Sequence, residues 1–254
     1  MSGYTRSYSY SYRVMSTLVP EVKHHFFKLR ALPMDAAFQH VVESRLVISP
    51  TCVVNDAVDG FGNRVQYGGF AAPHDTFCME SNGTIECSLY AIDGVADEIY
   101  RYPTRLTQWD ESIRMLGRSG TPADIMHAVH RLMTYERFVT TNATTAREVC
   151  HTARGVCQDY AHLMISACLS AGMVARYVNG ITLGEGETHA WVEVHDGRQW
   201  RGYDPTMDRV IDYGYIKFAH GRDVNDCPSN RGRFYGWTAE TKSVCAKMNE
   251  ITIQ

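Results

Sequence analysis

The hydrophobic period of the chain changes once, near residue 110. Before that point apolar positions recur every second residue. In SYSYSYRV, Tyr8, Tyr10 and Tyr12 alternate with serines, which places three rings on one face of a strand. Residues 41–48 (VVESRLVI) are rich in β-branched side chains and stop at Pro50. DGFGN at 59–63 and SNGT at 81–84 read as turns, and Asn82-Gly83 between two strand-like runs predicts a two-residue hairpin. Such a turn pairs Ser81 with Thr84 and makes Cys78 and Cys87 cross-strand neighbours, with Cα atoms ~4.5 Å apart. The pattern predicts an antiparallel β domain over residues 1–108.

Beyond residue 110 the period is helical. Thr121, Pro122 and Asp124 have the form of an N-cap, a first helical position and N3, and Ile125, Met126, Val129, Leu132 and Met133 then fall on one face. Thr145 and Glu148 make a second capping-box signature, for a helix expected to end at Gly155. A third helix is expected from about Cys157 to Ala171, closed by Gly172. VARYVNGITL, HAWVEVHDGRQWRGYDPT and the tail NEITIQ then read as strands. Residues 109–254 are therefore expected to pack helices on an antiparallel sheet, giving an α+β chain. Neither a repeat nor a low-complexity linker separates the halves.

Composition narrows the function classes. At 254 residues and 44% hydrophobic content the chain can bury one large core or two smaller ones. A net charge of -3 supplies no basic field for a phosphate backbone, so nucleic acid is not an expected partner. No apolar run approaches the ~20 residues of a membrane helix. The N-terminus carries no signal-like stretch, so a soluble cytoplasmic protein is expected. The eight cysteines contain no CxxC pair, and His151, His162 and His195 lack ligand spacing, so neither metal nor cofactor is expected. In a reducing cytosol Cys78 and Cys87 are expected as free thiols.

One cysteine stands apart by position. Cys157 falls at the first turn of the third helix, where unpaired N–H groups and the positive end of the dipole favour thiolate over thiol. Its backbone N–H is a candidate oxyanion donor. Asp196-Gly197 reads as a two-residue turn. Pairing His195 with Arg198 and continuing inward sets His189 opposite Asp204. An imidazole facing a carboxylate is the base-and-orienter half of a nucleophilic site, and also an ordinary cross-strand contact.

The strings GVCQDYAHLM, ARYVNG, THAWVEV, W-x-x-YDPT and GRDVNDCPSNRG, in this order, resemble the transglutaminase-like superfamily, nearest its bacterial branch described as cysteine proteases. The likeness covers residues 120–236 and extends loosely over the first hundred through FKLRALP, DGFGN and APH. Tyr in CQDYA and YDPT replaces the commoner Phe, and Cys227 is a further departure. The resemblance implies a papain-like core and acyl transfer through a thioester, with Cys157 as nucleophile, His189 as base and Asp204 as third member. With water as acceptor such a protein is a peptidase or amidase, and a peptide or amide is its partner. With an amine it is a transglutaminase or amide-forming acyltransferase. A binding module that lost turnover is a third reading. Asp159 either caps the helix or touches substrate, and Trp191, on the strand face of His189, screens the imidazole, lines the acyl pocket or packs in the core. Arg222 and Asp223 read as a structural ion pair.

Overall fold

The alternating tyrosines open one long strand, Arg6–Leu29, in the computed structural model, which describes residues 5–252. Tyr8, Tyr10, Tyr12 and Val14 point inward from it and are all buried. Its first half lies between Ala239–Ile251 and His74–Cys87, its second between Arg64–Phe70 and Asn230–Tyr235, all antiparallel. Gln39–Ser49 pairs with His74–Cys87, and Val54–Val58 pairs with Arg64–Phe70 across the Asp59–Asn63 turn. Of the expected tail strand, residues 253 and 254 lie outside the described residues.

The hairpin expected at Asn82-Gly83 does not form. His74–Cys87 is a single strand with Gly83 in its interior. A Cβ on Gly83 would stand 2.1 Å from the Glu43 carbonyl oxygen, beside the bulge between Val41 and Glu43. The glycine admits a close backbone approach in place of a turn. Cys78 and Cys87 therefore sit on one strand, roughly 30 Å apart at the usual rise per residue, and both are free thiols.

Four helices follow, α1 (Glu111–Gly117), α2 (Pro122–Leu132), α3 (Ala146–Thr152) and α4 (Cys157–Ser170). Both expected capping boxes are present: Thr121 with Asp124 on α2, and Thr145 with Glu148 on α3. Ile125, Met126 and Val129 of the α2 stripe are buried, whereas Leu132 at its end is exposed. Sequence reading missed α1, which Asp110 caps by accepting from the Ile113 N–H at 3.1 Å. Helix α3 ends at Thr152 and not at Gly155, because Ala153 takes the left-handed conformation at φ 55°. Arg154–Gly155 then runs parallel to Thr134–Tyr135. Helix α4 is apolar nearly all round and buried from Asp159 to Leu169, as suits a helix at the centre of a core.

Against α4 packs a second antiparallel sheet, in the order Arg209–Val210, Gln199–Asp204, His189–His195, Val174–Thr182, Tyr215–Gly221. Ala175, Tyr177, Ala190, Val192 and Val194 face the helix. The opposite side of this sheet meets the first one, where Tyr10 and Tyr12 lie 6.0 and 5.7 Å from the Phe218 ring. Segments from both sides of residue 108 build both sheets: Gly184–Gly186, Asn230–Tyr235 and Ala239–Ile251 complete the first, and Ile92–Asp93 joins the second. The architecture is α+β. No helix among the described residues is long and apolar enough to cross a membrane.

Candidate active site

Three elements of the core converge where α4 begins. Cys157 is the first residue of the helix, so its backbone N–H has no intrahelical partner. Asp159, two residues on, is fully buried and fixes this helix start: Oδ2 accepts from the Val156 N–H at 2.8 Å and the Thr140 hydroxyl at 2.7 Å. Burial raises its pKa against those two bonds. A Cβ on Gly155 would lie 2.5 Å from Asp159 Oδ2, so the glycine lets the chain pass the carboxylate.

His189 opens the strand His189–His195 and Asp204 closes Gln199–Asp204. Their side chains meet, with His189 Nε2 2.7 Å from Asp204 Oδ2, although the register differs from the expected one. The ladder pairs His195 with Trp200 and Val192 with Tyr203, two residues out of step with the sequence reading. The reason lies in the turn. Asp196 Oδ1 accepts from the N–H groups of Arg198 and Gln199, and Gly197 at φ 98° takes the first central place with Arg198 second. A shift of two residues preserves the face, so His189 and Asp204 become diagonal neighbours in place of direct ones.

The carboxylate is held from several sides. Its Oδ2 also accepts from the Tyr215 hydroxyl at 2.8 Å, and Oδ1 accepts from the N–H groups of Thr206 and Met207 at 2.9 and 3.1 Å. Burial works against the charge, but the His189 contact and these bonds hold the Asp204 pKa below its ordinary value. Burial would likewise strip the proton from His189. Hydrogen bonds to Asp204 and Cys157, with the attraction of both groups, reverse this and push its pKa up to about 10. With Nε2 given to Asp204, Nδ1 is the nitrogen left for Cys157.

These shifts fix the sign of a pH effect. His189, raised from 6.5, contributes stability that is fully present below about 6.5 and lost as pH rises through about 10. Asp204, lowered from 3.8, contributes stability present above that value and lost as pH falls below it. Thermal melts of wild type and His189→Gln between pH 7 and pH 10.5 should show a gap that narrows toward the alkaline end. A gap independent of pH would contradict the raised imidazole.

Trp191 supports the imidazole from behind. It is fully buried, its ring lies 6.4 Å from that of His189 at 25°, and its Nε1 donates to the Tyr90 hydroxyl at 2.9 Å. His189 itself pairs with Gly180 on the next strand, where an added Cβ would stand 2.1 Å from the Ile216 carbonyl oxygen and 2.6 Å from the Trp191 ring. Gly180→Ala should therefore destabilise the protein by about 1–3 kcal/mol and displace Trp191. Urea denaturation checks the first effect, and a midpoint equal to wild type would refute it.

The site lies in a cleft of about 630 Å³ that contains Cys157 and His189. One wall comes from Tyr135, Arg137 and Asn142, another from residues 182–190, and a third from Tyr12, Val14 and Lys242 of the first sheet. Arg137 and Glu187 form an ion pair between the first two walls. Asp159 and Trp191, the two candidates for substrate contact in the sequence, do not line the cleft, and both are fully buried. Sequence reading missed Tyr215, Tyr90 and the wall from the first sheet, since all three depend on contacts between distant segments. It also misassigned one ion pair: Arg222 bonds Asp226, at 2.8 Å through Nε, while Asp223 Oδ1 accepts from the Asn225 N–H. His162 is a core histidine, buried, with Nε2 accepting from the Val224 N–H and its pKa pushed down to about 4 by burial.

Fold and site thus define an α+β protein in which a thiol and an imidazole line one cleft and a buried carboxylate holds the imidazole from the other side. Residues 114–205 match the transglutaminase-like superfamily, and residues 7–86 match the bacterial transglutaminase-like N-terminal region. The chain belongs to this family, joining that N-terminal region to a transglutaminase-like core. It is 28% identical over 255 residues to an uncharacterised protein of Mycobacterium tuberculosis strain H37Rv, covering 80% of this chain and 79% of that one. An uncharacterised protein of Mycobacterium leprae is 26% identical over 260 residues, covering 89% and 92%. A crystal structure described as "a Putative Cysteine Protease from Cytophaga hutchinsonii" shares the fold, with a TM-score of 0.83 at 19% identity, over 99% of this chain and 92% of that one.

Proposed function

We propose that the protein is a thiol-dependent acyl-transfer enzyme that hydrolyses an amide bond of a peptide or related amide. The observation that carries this reading is Cys157 and His189 lining one cleft, with His189 Nε2 2.7 Å from the buried Asp204 carboxylate behind it. With its proton already held on the His189 ring, whose pKa is raised to about 10, the Cys157 sulfur attacks the amide carbonyl carbon, and the imidazolium then protonates the departing amine from Nδ1. Cys157 is left as a thioester. Water, losing its proton to His189, attacks that thioester and releases the acid and the thiol. Asp204 keeps the proton of the neutral ring on Nε2 and stabilises the imidazolium. The unpartnered Cys157 N–H is suited to receive the oxyanion.

Hydrolysis is favoured over transfer to an amine because the cleft is open to water and its charged lining groups are of both signs, with no excess to recruit one acceptor. The test is a quenched-fluorescent peptide library incubated with and without a primary amine, products read by mass spectrometry. Free acid as the main product, absent with Cys157→Ala, supports the reading. Amide exchange alone would make the protein a transamidase. Product formed equally by the Ala variant would remove the thiol mechanism.

A further inference from the structure

Away from the Cys157 cleft, three strands of the second sheet bring together a buried charge cluster. Glu193 is fully buried and accepts from Arg176 Nε at 2.5 Å and from Lys217 Nζ at 2.9 Å on each oxygen. Tyr90 adds a further bond to the same carboxylate. Arg176 also lies over the Trp200 ring, its guanidinium carbon 4.0 Å from the centroid. Two cations thus face one carboxylate, an excess of one positive charge in a medium that charges it heavily for lacking a partner. Lys217 registers this excess: burial and the neighbouring Arg176 draw its pKa down to about 8, against the pull of Glu193.

This cluster opens on a cavity of about 210 Å³ that shares no lining residue with the Cys157 cleft. Arg176, Lys217 and His220 form its polar side, and Met34, Ile92 and Phe218 its apolar wall. The other polar side chains around it are occupied. Gln39 bonds the Met34 and Lys217 carbonyls and the Lys217 N–H, and Asn63 bonds the His220 backbone on both sides. Asp35, the acid of the lining, is exposed and accepts from His40 and the Val41 N–H. Lys217 keeps one ammonium proton beyond its two bonds to Glu193, and the His220 ring makes no hydrogen bond among the described residues. Arg176 and Lys217 therefore line a pocket that is partly open to solvent and has a hydrocarbon wall.

We propose that this cavity binds a small carboxylate, its oxygens on Arg176 and Lys217 and a short aliphatic chain against Met34, Ile92 and Phe218. A monoanion matches the single excess charge. A phosphate dianion would overcompensate it and turn oxygens toward the apolar wall. The proposal is independent of the reading of the Cys157 cleft.

The probe is propionate, titrated at pH 7 against sodium chloride of equal ionic strength, with the melting midpoint as readout and inorganic phosphate as a second ligand. Propionate should raise the midpoint saturably by at least about 2 °C, more than chloride or phosphate does. Lys217→Met leaves Glu193 and Arg176 as a balanced pair, and Ala36→Phe fills the cavity from its wall without touching a charge. Both should lose the propionate response, and Ala36→Phe decides the matter if Lys217→Met does not fold. An equal rise in chloride, or a response that survives Ala36→Phe, would overturn the site. A stronger saturable response to phosphate would overturn the carboxylate class.

Discussion

Cys157→Ala should remove turnover, by a factor on the order of 10⁶, while leaving the melting midpoint close to that of wild type. The two parts of this result have separate physical origins. Loss of the sulfur removes the atom proposed to form the acyl bond, and Cys157 is the cysteine that lines the cleft. The fold is spared because Cys157 is only partly buried and sits at the first helical position, where alanine is well tolerated. The completely buried Cys168 and Cys227 are different, since their thiols fill core space. Steady-state rates and thermal melts on the same preparation check both parts. Unfolding of the variant, or activity within tenfold of wild type, would contradict a chemical role for Cys157.

Asp204→Asn should lower the acylation rate by about 10²–10⁴-fold with the fold retained. The amide oxygen can keep the bonds from the Thr206 and Met207 N–H groups that Oδ1 now accepts. Its NH₂ then occupies the place of Oδ2, facing His189 Nε2 and the Tyr215 hydroxyl. Donating to Nε2 drives the ring proton to Nδ1, the nitrogen that must accept from Cys157. The lost charge also removes much of what holds His189 up near about 10. An NMR titration of the His189 ring should show its pKa falling in the variant, alongside slower single-turnover acylation. An unchanged titration with unchanged acylation would mean that Asp204 is only a strand residue.

The candidate site was more legible in the sequence than the surfaces around it, for reasons that particular residues show. The α2 and α3 capping boxes are local, three residues apart, and both form as read. His189 and Asp204 meet because side-chain direction depends only on parity, so the slip of two residues at Asp196–Gln199 left them on one face. The same sequence did not reveal that Asp196 would use its carboxylate to pull the turn one place along. Gly83 misled because a glycine in a crowded strand and a glycine in a turn look alike until the neighbouring strand, with Glu43, is in place. Tyr215 and the wall from Tyr12 and Val14 are set by pairings between distant strands, which no local pattern encodes. The boundary placed at residue 108 could not anticipate that Ala239–Ile251 returns to pair with Arg6–Leu29.

The most direct test of the account is a competition among the cysteines of the wild-type protein. Cys245 is exposed and Cys157 is half-buried, so reactivity governed by access alone would favour Cys245. Activation by His189 at the helix start would favour Cys157. Limiting iodoacetamide at pH 7, followed by peptide mapping, should place most of the label on Cys157 in wild type and shift it toward Cys245 in His189→Ala. Preferential labelling of Cys245 in the wild-type protein, with Cys157 left unmodified, would contradict the account.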